Sequence, residues 1–173
     1  MLHAPRQYLN ANSNYIALYV NVETGQARRN DVGLAMLSSA SQLSEKIAEA
    51  LNRPELEAEL MTQAQSTDGT DILRKMLKTA SEKSRKPLVV FIDEADSLVG
   101  DTLISLLRQI RAGYTDRPKQ FPQTVVLCGV RDVRDYRMTM ADGEVSTGGS
   151  AFNIKAESLR LGDFSLADMM ALY

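Results

Sequence analysis

The sequence predicts an α/β fold in three layers, with helices on both sides of a mostly parallel central sheet. Short apolar runs recur at residues 15–22, 88–92 and 124–130, and longer stretches with apolar residues at helical spacing lie between them. The run Leu88-Val-Val-Phe-Ile92 has no polar interruption, the pattern of a strand buried on both faces. Strands alternating with helices of this length indicate parallel pairing through crossover helices.

Each element follows from its residues. The first clear strand is Tyr15-Ile-Ala-Leu-Tyr-Val-Asn-Val22, short and rich in β-branched and aromatic residues. A long helix follows, with Leu34, Leu37, Leu43, Ile47 and Leu51 close to one face and Arg53-Pro54 ending it. Residues 55–65 carry another helical segment, and Ser66-Thr-Asp-Gly69 is a loop by composition. Asp71 reads as the N-cap of a helix with the stripe Ile72, Leu73, Met76, Leu77 and Ala80. Leu103, Ile104, Leu106, Leu107 and Ile110 define the next helix, closed by Gly113. Residues 124–130 form a third buried strand, 138–150 a polar loop, and 152–161 a weaker strand. Ser165 caps a last helix.

The chain has 173 residues, 44% hydrophobic and 24% charged, which suits one globular domain over residues 1–173. Twenty basic and 22 acidic residues leave a formal charge of −2, which argues against a nucleic-acid-coating protein. No row of aromatics interleaves with basic residues, so a base-stacking surface is not indicated. The longest apolar runs are far shorter than the roughly 20 residues of a spanning helix, so no membrane segment is expected. No apolar core follows Arg6, so a secretory leader is not expected either. The single cysteine, Cys128, excludes an internal disulfide and suits a reducing cytoplasm. His3 has no ligand cluster at metal spacing.

The most informative stretch is Leu88-Val-Val-Phe-Ile-Asp-Glu-Ala-Asp96. An apolar strand ending in Asp93-Glu94 matches the Walker B pattern. In that chemistry the first acid holds magnesium where it leaves the sheet, and the second polarises an attacking water. A second reading stands beside it: Asp93 and Asp96 cap a helix after a buried strand.

From Tyr15 onward the order of motifs resembles the bacterial AAA-like, STAND-type P-loop ATPases of the additional-strand class. The matching stretches are residues 15–22, 88–98, 125–136 and 151–164. The resemblance implies a P-loop NTPase-like fold that binds ATP and magnesium, with Asp93 organising the metal and Glu94 as the catalytic acid. It places Arg131 at the end of the sensor strand, in reach of a terminal phosphate. Arg131, Arg134 and Arg137 also alternate with Asp132 and Asp135, so solvated ion pairs are a second reading of that loop. The letters Asp-Glu-Ala-Asp are shared with DEAD-box helicases, but no Ser-Ala-Thr motif follows.

The Gly-Lys-Ser/Thr of a working phosphate loop occurs nowhere in the chain. Residues 2–7 resemble the first strand and the opening of that loop, joined directly to the last turn of its helix at Tyr8-Leu-Asn10. An N-terminal tail is the other reading of His3-Ala-Pro-Arg6. Loss of the loop removes most of the grip on a triphosphate. The expectation is therefore an ATPase-like domain that is impaired or inactive. The alternative is a non-catalytic scaffold with a protein partner or a second copy of itself.

Overall fold

The computed structural model describes residues 2–12, 14–28 and 31–129, with residues 138, 139, 145, 146, 159, 162 and 170. The chain is α/β. Strand β1 (Ile16–Asn21), strand β2 (Leu88–Asp93) and strand β3 (Thr124–Leu127) form a parallel sheet in the order β1-β2-β3. Its register sets Ile16 opposite Leu88 and Asn21 opposite Asp93, and on the other side Val89 opposite Thr124.

Central β2 is buried from Leu88 to Ile92, as its uninterrupted apolar run requires. Alternation along a strand sends its side chains to opposite faces. Leu18, Val20, Val22, Leu88, Val90 and Ile92 join the larger core, and Ala17, Val89 and Phe91 form a second cluster. Helices α2 (Val32–Leu51), α3 (Glu55–Gln65), α4 (Ile72–Lys83) and α5 (Asp101–Ala112) supply the rest of the larger core.

The expected stripes of α4 and α5 are buried residue for residue. In α2 the buried stripe is rotated from the leucine pattern. Met36, Ala40, Leu43 and Ile47 face the core, whereas Leu34 is 46% exposed. Small residues let α2 approach the sheet closely, so alanine and serine carry contact that a leucine count overlooks. Asn52 closes α2 in the left-handed conformation, and the Arg53 N–H bonds the Ala48 carbonyl at 2.9 Å.

The second cluster is covered by an element that the sequence reading assigns differently. Of residues 2–7, expected as a strand opening a phosphate loop or as a tail, 3–7 belong instead to helix α1 (His3–Asn12), and Leu2 is the turn before it. Pro5 sits in the first turn, where its missing N–H costs no helical bond. Leu2 and Leu9, two turns apart, pack with Tyr19 and Val126 against Ala17, Val89 and Phe91. The Asn10 side chain bonds the Ala17 N–H at 2.8 Å and donates to the Ala17 carbonyl at 3.1 Å. It thereby occupies backbone groups on the side of β1 turned away from β2.

Two further expectations are corrected. Strand β3 is only partly buried, because among the described residues it is bonded on one side alone, to β2. Within 138–150, expected as a loop, strand β4 (Met138–Thr139) pairs antiparallel with strand β5 (Val145–Ser146). The expected strand at 152–161 and the helix after Ser165 lie outside the described residues. Among the described residues no helix is long and apolar enough to cross a membrane.

Asp71 precedes α4 as expected, but its carboxylate makes no capping bond and forms a two-toothed pair with Arg74. The cap comes from α5. The Gln109 side-chain oxygen accepts from the Leu73 and Arg74 N–H groups at 2.7 and 3.3 Å, and its amide donates to the Gly69 carbonyl and Ser105 hydroxyl. Gln109 is 2% exposed. Replacing it by leucine leaves two buried helix N–H groups without their acceptor. Gln109→Leu is expected to lower the unfolding free energy by about 2–3 kcal/mol in urea titration. A change below about 0.5 kcal/mol would contradict this cap.

Candidate functional site

The acidic pair stands at the carboxyl end of the central strand, where ligand crevices of parallel α/β sheets lie. Asp93 continues the row Val89, Phe91 and so projects on the α1 side of the sheet. Tyr19 lies opposite Phe91, one step diagonally from Asp93. Its hydroxyl donates to Asp93 Oδ2 at 2.8 Å. The other carboxylate oxygen, Oδ1, accepts the Glu94 N–H at 3.1 Å. Both oxygens of the expected metal-holding acid are thus engaged within the chain.

Glu94 adopts a left-handed backbone, with φ 55° and ψ 35°, and its side chain is exposed. Such a conformation is unfavourable for a residue with a Cβ, by about 1 kcal/mol or more. It is held by its surroundings. The Ala95 N–H bonds the Cys128 carbonyl at 2.9 Å, and the Cys128 N–H bonds the Ile92 carbonyl at 2.8 Å. The chain then makes a 3-10 turn over Ala95–Ser97 with no side-chain cap, and α5 starts only at Asp101 after Gly100. Asp93 and Asp96 therefore do not cap a helix as the second reading supposed. Asp96 packs so closely on Gly129 that a Cβ there would collide with its carboxylate.

Cys128 is half-buried beside this turn. Burial first, and the Asp93 charge second, push its thiol above the ordinary range, which suits a packing residue and not a nucleophile. Arg131, the expected phosphate sensor, lies outside the described residues. An open groove of about 420 Å³ lies beside the end of β1, lined by Asn21, Glu23, Thr24, Gln26, Ala27 and Gln42. Neither Asp93 nor Glu94 lines it.

Among the described residues, no cluster of three or more His, Cys, Asp or Glu side chains could hold a metal. Of residues 2–7, which the resemblance likens to the first strand and the opening of the phosphate loop, 3–7 are closed into α1. One hydrogen bond on each Asp93 oxygen, from Tyr19 and from the Glu94 N–H, orients the carboxylate and leaves each oxygen a further lone pair. Comparison with protein-family profiles, with curated proteins and with solved structures finds no match to the chain.

Sequence reasoning brought Asp93 and Glu94 to the strand end but missed the partners of Asp93. Tyr19 reads simply as an aromatic strand residue, and only the register of β1 on β2 sets it beside the carboxylate. His3, set aside for want of metal partners, has its ring 4.7 Å from that of Tyr19, centroid to centroid.

Burial, then the hydrogen bond to Asp93 and its charge, raise the Tyr19 hydroxyl above the usual tyrosine value of about 10. The unfolded chain therefore releases this proton before the folded chain does. The resulting stability is complete below about pH 10 and is lost as pH rises through the folded value. Between about pH 9 and about pH 11 the wild-type chain is expected to lose more unfolding free energy than Tyr19→Phe. Urea midpoints measured across that interval check this, and parallel curves for the two proteins would contradict it.

Proposed function

We propose that the chain is an ATPase-like α/β domain of P-loop ancestry that keeps the acidic strand end, Asp93-Glu94, and has lost effective catalysis. The observation that carries this reading is the placement of the two acids at the carboxyl end of the buried central strand of a parallel sheet, Asp93 as its last residue and Glu94 next. Ancestral ATP hydrolysis assigns the metal to Asp93, water activation to Glu94 and phosphate sensing to Arg131. The impairment follows from the residues beside them. No phosphate-loop lysine exists in the sequence, and the Asp93 carboxylate is turned to Tyr19.

A second reading is favoured by α1 on the second sheet face and by the internal bonds of Asp93. On this reading the domain is a non-catalytic scaffold that offers its surface to a protein partner or to a second copy. Sedimentation of the purified chain over a range of concentrations separates this reading from the first. A concentration-dependent oligomer that ignores nucleotide supports the scaffold.

The expected outcome for the leading reading is no saturable magnesium-dependent ATP binding in the micromolar range and no phosphate release above background. Calorimetric titration and a phosphate-release assay check it. Micromolar affinity with turnover abolished by Glu94→Gln would overturn the impairment and identify an active ATPase.

A further inference from the structure

Helix α1 has no buried residue of its own, so its docking depends on a few contacts. Leu2 and Leu9 meet the second cluster, and Asn10 bonds both backbone groups of Ala17. At its first turn His3 lies over the Tyr19 ring, and that ring is fixed by the hydroxyl bond to Asp93. The helix therefore runs along β1 from the Asp93 end at His3 to the Ala17 end at Asn10.

We propose that Asp93 serves as the anchor of a latch, His3–Tyr19–Asp93, which holds α1 closed over the sheet. The carboxylate is the fixed point because its own position is set by β2 pairing and by the Glu94 N–H. A hydroxyl bonded to an ionised carboxylate is stronger than a bond between neutral groups. Tyr19 then presents a ring in a defined orientation, on which His3 seats the start of α1. The other end is held independently by Asn10. Opening α1 withdraws Leu9 from the apolar cluster of Ala17, Val89 and Phe91, which water disfavours. The acid that resembles a metal ligand thus acts as a positioning residue for a helix packed on the second face. The inference stands on this geometry, whether or not the ATPase ancestry is right.

Hydrogen exchange of the intact chain, read residue by residue, tests the latch. Tyr19→Phe removes the hydroxyl alone and is expected to speed exchange of the α1 amides roughly tenfold. Exchange over Leu103 to Ile110 in α5 should be unchanged, which distinguishes local opening from general destabilisation. Asp93→Ala should give the same local acceleration, and Asp93→Asn a smaller one. The asparagine variant keeps the test decisive if alanine fails to fold. Because one bond is shared, the double variant Tyr19→Phe with Asp93→Ala (or Asp93→Asn) should open α1 no faster than the faster single variant. Unchanged α1 exchange in Tyr19→Phe would overturn the proposal, as would effects of the two substitutions that multiply. Magnesium at millimolar concentration is expected to leave every rate unaltered. Protection of the Glu94 amide by magnesium, lost in Asp93→Asn, would instead return Asp93 to the role of metal ligand.

Discussion

The structure depends on the burial of β2 on both faces. A strand of Leu, Val, Val, Phe and Ile offers water nothing on either side, and its backbone groups must be bonded on both edges. Strands β1 and β3 meet the second requirement by parallel pairing. The first calls for two covering layers. The helices from α2 to α5 provide one, and α1, of only ten residues, contributes to the other. Among the described residues, four helices pack on one face of the sheet and α1 alone on the other.

Long polar side chains complete what regular hydrogen bonding leaves open. Gln109 on α5 supplies the acceptor for the start of α4, and Asn10 on α1 bonds the outer side of β1. Tyr19 does the same for Asp93, across two strands. In each case a group that burial would leave unsatisfied is met by a residue distant in sequence, by 36, 7 and 74 positions respectively. These bonds tie helices and strands together at defined points, so the layers are fixed in angle as well as in contact.

Periodicity made much of this fold legible. The apolar runs of β1 and β2, the stripes of α4 and α5 and the span of α3 all follow from local pattern, because burial imposes a period on each. Helix α1 was not legible because its two sheet-facing leucines lie two turns apart and Pro5 disguises its first turn. The rotated face of α2 escaped for a different reason: close packing there selects Ala and Ser, which carry little hydrophobic signal. Asp71 was a sound cap by residue type, yet Arg74 captured its carboxylate and left the helix start to Gln109. At the site, chain order alone put Asp93 and Glu94 at the end of a strand. The partner of Asp93 depended on strand register, which a single sequence does not display.

On the proposed reading, Asp93 and Glu94 keep the strand-end place of an ATPase's acids, and α1 packs beside them on the sheet. Strand β2 is the keystone, the last part of the domain to open. The direct measurement is native-state hydrogen exchange at Val90, Phe91 and Ile92, compared with the unfolding free energy from urea. These amides are expected to exchange only through global unfolding, with the same free energy. Exchange at these positions as fast as in the surface turns would contradict it.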